Sequence, residues 1–143
     1  MKLKAIKNEG LPLIACLLLI LLWAYTGLDK LVDWDNSTKA FYNQVFPTHL
    51  SKILGYVVPL SELLIAGLLC INKSRWWGFL ASNLVLTVFT TYIGLIWVGA
   101  FPRVPCNCAG ILETLSWATH FWLNCFFLLL GILGLYHIKK AGP

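Results

Sequence analysis

Four long apolar runs, over about residues 11–28, 53–71, 76–100 and 117–136, decide what this chain can fold into. A helix that crosses about 30 Å of hydrocarbon needs about 20 mostly apolar residues, and each run is close to that length. Inside lipid every backbone N–H and C=O must be paired within the protein, which a helix achieves from a single segment. Apolar residues make up 59% of the 143 and charged residues 12%. That charged share is about half of what a soluble domain carries, so lipid must be the solvent. The expected fold is all-α: one transmembrane domain over residues 1–143, a polytopic four-transmembrane-helix bundle with short amphipathic surface helices. Trp23, Tyr25, Tyr56, Trp76, Trp77, Trp97, Trp117 and Trp122 mark the run ends, where aromatic rings favour the headgroup level.

The stretch from Asp29 to Lys52 reads differently. It mixes Asp33, Asp35, Asn36 and Lys39 with Trp34, Phe41, Tyr42 and Phe46. This predicts a polar loop with one short amphipathic helix on the membrane surface. Pro47 is expected to end that helix, because proline disfavours helix in the residue before it.

The net charge of +5 does not point to nucleic acid, because the basic residues sit at the ends of the apolar runs. One side collects Lys2, Lys4, Lys7, Lys73, Arg75, Lys139 and Lys140, and the other Lys30, Lys39, Lys52 and Arg103. The positive-inside rule then puts both termini in the cytoplasm and the 101–116 loop outside. The expected location is a bacterial inner membrane, with that loop periplasmic. The basic start followed by an apolar run resembles a signal peptide, but no small-residue cleavage site follows it. "LIAC" at Leu13–Cys16 resembles a lipoprotein box, yet the apolar run follows the cysteine instead of preceding it.

Two of the five cysteines stand one residue apart in "VPCNCAGIL", inside the predicted outer loop. An oxidising compartment permits a disulfide there. A bridge between Cys106 and Cys108 demands a bent backbone, since bridged Cα atoms lie about 4.4–6.8 Å apart. Asn107 tolerates left-handed geometry and Gly110 loosens the chain. Strain makes a bridge easier to reduce and hence a better oxidant. A short helix is expected over about residues 109–115, ended by Ser116. Its N-terminus would favour a thiolate at Cys108. His120, at the mouth of the fourth run, is a candidate base for that thiol, or simply a solvated interface residue. Two other readings of the pair stay open: a static clip of the loop, and a metal site. Two thiolates with His120 leave zinc one ligand short, and ligand spacings are normally wider, so no metal is expected. Cys16, Cys70 and Cys125 read as small hydrophobes.

Glu62 falls near the middle of the second run. A carboxylate at the centre of a span costs on the order of 2.5–3.5 kcal/mol, so it is expected to face the bundle interior. Asn83, Thr90, Thr91, Tyr92 and Asn124 are the polar residues of the neighbouring runs. Glu62, Tyr92 and Asn124 are candidates for binding a cofactor or handling protons. Plain hydrogen bonding between helices explains a buried glutamate equally well.

"TGLDKLVDWDNSTKAFYNQ" after the first run, "PLSELLIAGLL" in the second and "CNCAG" before the fourth resemble the MauE/DoxX group of bacterial membrane proteins. Gly27, Leu28, Lys30, Phe41 and Glu62 carry the clearest likeness, which extends over nearly the whole chain. The resemblance implies a role in making disulfides in extracytoplasmic proteins, beside a thioredoxin-like partner. DoxX-like relatives imply a quinone as cofactor and sulfur oxidation as context. The cysteine pair draws the chain toward MauE. The expected function is therefore membrane thiol–disulfide exchange through Cys106 and Cys108. The alternatives are a non-catalytic subunit of a larger membrane complex and a quinone-binding subunit of a sulfur-oxidising enzyme.

Overall fold

The computed structural model describes residues 2–42, 46–100 and 116–141. They form five helices: α1 (Lys2–Val32), α2 (Trp34–Tyr42), α3 (Thr48–Cys70), α4 (Arg75–Trp97) and α5 (Trp117–Ala141). No strand occurs among the described residues. Four helices are long and apolar enough to cross a membrane: Gly10–Val32, Thr48–Cys70, Arg75–Trp97 and Trp117–Ile138. The short amphipathic helix expected after the first run is α2.

Each long helix packs on two others. α1 and α4 both lie against α3 and α5, so the four close into a ring, while α2 rests on α3. The contacts run antiparallel. On α1 and α3, Cys16 donates to the Leu69 carbonyl while Gly27 abuts Leu63. On α4 and α5, Gly134 meets Phe79 and Gly94 meets Phe121. One end of the bundle therefore carries both chain termini (the terminal end). The other carries α2 and the last turn of α4 (the loop end).

Several boundaries differ from the sequence expectation, each for a local reason. α1 continues past Leu28 to Val32, because Lys30 in its last turn suits the negative end of the helix dipole. Pro47, expected to end the amphipathic helix, stands at the N-cap of α3, where its missing N–H costs nothing. α4 stops at Trp97. Gly99 follows with φ of +77°, its N–H on the Ile96 carbonyl and the Ala100 N–H on the Leu95 carbonyl, a Schellman stop that favours glycine. Ser116 opens α5: its hydroxyl accepts from the Thr119 N–H at 3.2 Å, an N-cap. The expected helix over residues 109–115 lies outside the described residues.

Lipid tails are as apolar as leucine, so the helices are held by close packing and internal hydrogen bonds. Leu19, Trp23, Leu69, Phe79 and Leu86 are almost fully buried in the centre. Trp23, expected at the headgroup level, instead reaches across the ring, its indole N–H donating to Ser82 Oγ at 2.7 Å. Leu17, Leu21, Leu64, Val88 and Leu129 point outward, as lipid-facing residues must.

Glycines let the helices approach. A Cβ at Gly78 would stand 2.9 Å from the Leu69 backbone nitrogen and side chain, whereas one at Gly67 would meet nothing within 4 Å. Gly78→Ala is therefore expected to destabilise the protein by about 1–3 kcal/mol, the range for overpacking. Gly67→Ala should be neutral or gain about 0.5–1 kcal/mol from reduced chain entropy. Unfolding of both variants in detergent micelles checks the contrast; equal stabilities would contradict the α3–α4 contact.

Candidate functional site

The polar interior is built around the last turns of α1. Gly27 lies so close to α3 that a Cβ there would come within 2.9 Å of Leu63 Cγ and 3.3 Å of Glu62 Cβ. Lys30, one turn further on, is thereby within reach of Glu62. Its ammonium donates to both carboxylate oxygens, at 3.1 and 3.2 Å, and to the Thr26 carbonyl at 3.3 Å. The side chains are 7% and 2% exposed. Glu62 stands about 12 Å along α3 from Cys70 and about 21 Å from Thr48, well inside the span. An isolated charge costs on the order of 2.5–3.5 kcal/mol at such depth. The pair is neutral as a unit, and its direct hydrogen bonds offset the lost hydration.

Three further buried polar residues lie on α4 and α5, the opposite wall of the ring. His120, in the first turn of α5, is buried, and the Lys30 ammonium is near enough to act on it electrostatically. Asn124 lies one turn further and is also buried. The Gly94–Phe121 contact fixes the register of α4 and α5, and that register brings Thr90 to the depth of Asn124. Asn124 Nδ2 and Thr90 Oγ1 are both buried without a hydrogen-bond partner.

Of the residues expected to form a site, Glu62, Asn124 and His120 therefore share the interior. Tyr92 stacks on Phe46, just ahead of α3, with ring centroids 5.3 Å apart. Phe46 is separated from Glu62 by about four helical turns of α3. Cys106 and Cys108 lie outside the described residues. The other thiols differ among themselves: Cys16 is buried, Cys70 exposed and Cys125 intermediate. Among the described residues no three His, Cys, Asp or Glu side chains group to hold a metal.

The family model described as Methylamine utilisation protein MauE matches residues 8–137. The chain belongs to the MauE family. The match takes in all four apolar spans of this MauE-family protein, the Lys30–Glu62 pair, and the segment that carries Cys106 and Cys108. No curated protein and no solved structure matches the chain.

Sequence reasoning missed the role of Lys30, which it assigned to the polar loop. A signal was present. One acid inside a span calls for a cation, and Lys30 lies within a turn of the first apolar run. In this structure that lysine belongs to α1, and it supplies the counter-charge.

Proposed function

We propose that this MauE-family protein is a membrane thiol–disulfide exchange protein acting on an extracytoplasmic, thioredoxin-like partner. The observation that carries this reading is the Cys106-Asn107-Cys108 spacing, set in a polar connection between two spans of a MauE-family chain. A partner thiolate attacks one sulfur of the bridge, the S–S bond breaks, and the other cysteine leaves as a thiolate. The second partner thiol then attacks the mixed disulfide and releases the partner in its oxidised form. Two electrons and two protons pass from the partner to the pair, and the reverse sequence passes them back.

A quinone is the two-electron carrier that a membrane offers to such a pair. Asn124 Nδ2 is a buried donor without a partner, which suits a quinone carbonyl. The Glu62 carboxylate already receives Lys30, so its role in this reading is to hold the lysine in the bundle interior. Tyr92, stacked on Phe46, fits the quinone role less well. A structural subunit is the second reading. It is favoured by the completeness of the Lys30–Glu62 pair, which ties α1 to α3 without a ligand. The cysteines would then clip a loop.

The deciding experiment is a trap. Cys106→Ser and Cys108→Ser are made singly in the full chain, and the proteins are run on a non-reducing gel. Exchange predicts a mixed disulfide with a thioredoxin-fold protein for at least one variant. A wild-type bridge with no adduct in either variant leaves the structural reading.

The proposed orientation puts both termini in the cytoplasm. Lys30, buried against Glu62, adds no cation to the loop-end surface, and this strengthens the basic bias toward the terminal end. A membrane-impermeant maleimide should label reduced Cys106 and Cys108 in intact spheroplasts. It should spare Cys70, which is exposed at the terminal end of α3. Labelling of Cys70 with silence from the pair would invert the orientation.

A further inference from the structure

Away from the central ion pair, α2 and the loop-end half of α3 line a half-open cavity of about 180 Å³. Thr38 and Tyr42 of α2 line it, with Ser51, Lys52, Gly55 and Tyr56 of α3. These are residues one turn apart on single helix faces, so the lining follows from the way α2 lies on α3. Gly55 keeps the wall open where a larger side chain would fill it.

The lining has one chemical character. It offers two phenols, two hydroxyls and an ammonium, and no carboxylate. The Thr38 hydroxyl is already engaged with the Trp34 and Asp35 carbonyls. Ser51 is not engaged: the residue is 1% exposed, and its Oγ has no hydrogen-bond partner. A buried hydroxyl left unpaired in a cavity wall calls for an absent ligand, ion or water. Lys52 has no ion-pair partner among the described residues. The positive end of α3 lies within the same two turns, and no side chain caps it. The nearby carboxylates do not oppose this. Asp33 and Asp35 flank Trp34, whose ring pairs with Tyr56, but neither lines the cavity, and Asp33 is occupied by Asn36.

We infer that the α2–α3 cavity binds a phosphate-type anion, either the phosphoester of a lipid headgroup or free phosphate. Ser51, Lys52 and Tyr56 supply the contacts. The cavity lies toward the loop end of a membrane-spanning helix, beside the Trp34–Tyr56 ring pair, and such rings favour the headgroup level. The site is independent of the cysteines and of the exchange reading.

The test is native mass spectrometry of the delipidated full chain in detergent, titrated with phosphatidylglycerol, with diacylglycerol, and with inorganic phosphate as competitor. One phosphatidylglycerol should be retained, and diacylglycerol should not. Lys52→Gln and Ser51→Ala should each weaken retention about tenfold, as expected for losing one hydrogen bond to a charged group. Displacement by millimolar phosphate identifies the bare anion as sufficient; retention despite it assigns the site to the lipid headgroup. Without any anion, Ser51→Ala should unfold at no lower temperature than wild type, because an unpartnered hydroxyl contributes no bond. The proposal is overturned if diacylglycerol binds equally well, if neither phosphate nor phosphatidylglycerol binds, or if both variants retain lipid like wild type. A lower unfolding temperature for anion-free Ser51→Ala would also overturn it, by making the hydroxyl structural.

Discussion

Lys30→Met is expected to destabilise the protein by about 3–5 kcal/mol, the cost of leaving one member of a buried ion pair without its partner. The size follows from the surroundings. Glu62 is 2% exposed and far from either end of α3, and Lys30 donates to both of its oxygens. Little water is available to take over the bonds that Met cannot make. Glu62→Gln is expected to be costly for the mirror reason, since it strands a buried ammonium whose remaining described contact is the Thr26 carbonyl. The double variant Lys30→Met with Glu62→Leu should regain most of the loss. Replacing a whole buried pair by apolar residues is often neutral or stabilising, because the desolvation of both charges disappears. Unfolding in detergent, carried through the full double-mutant cycle, measures the coupling. A single variant as stable as wild type would mean that the pair is open to water. The double variant also separates two roles. If the pair only joins α1 to α3, the apolar double variant keeps thiol exchange. If it serves electron or proton transfer in the interior, the double variant folds and does not turn over.

A second large effect is expected at Cys106 and Cys108. A bridge closed over the single residue Asn107 is strained by its spacing, and strain raises the reduction potential. Structural bridges in exported proteins typically lie below about −300 mV, and catalytic oxidants lie between about −200 and −120 mV. The pair should fall in the catalytic range, about 100 mV or more above the structural one. At about 30 mV per factor of ten, that exceeds a thousandfold in the exchange equilibrium. Equilibrating the purified protein with glutathione buffers and counting free thiols at the two positions gives the value. A potential near the structural range would remove exchange and leave a clip. A pair that never bridges under oxidising conditions would end both readings and reopen metal binding.

The four crossings and the all-α fold are legible in the residue pattern alone, as is the surface helix α2. These are properties of single segments. Apolar content averaged over about 20 residues decides whether a helix belongs in lipid, whatever its neighbours do. The burial of Glu62 is legible for the same reason, because a carboxylate in a span must turn inward. Some helix ends escape a reading by hydropathy although their signals are local: Gly99 stops α4, and Ser116 caps the start of α5.

The partner of Glu62 is a different matter. The demand for a cation favours Lys30, but Asn83, Thr90, Thr91, Tyr92 and Asn124 also lie in apolar runs and can hydrogen-bond a carboxyl. The rotation and register of α1 against α3 settle the choice, and these depend on where Gly27 meets Leu63 and where Cys16 meets Leu69. The Trp23–Ser82 bond across the ring and the α2–α3 cavity have the same origin. Hydropathy determines that a segment enters the membrane; it carries no information on which face of one helix meets which face of another. That is decided by side-chain packing and by paired polar groups, which exist only once the helices have assembled.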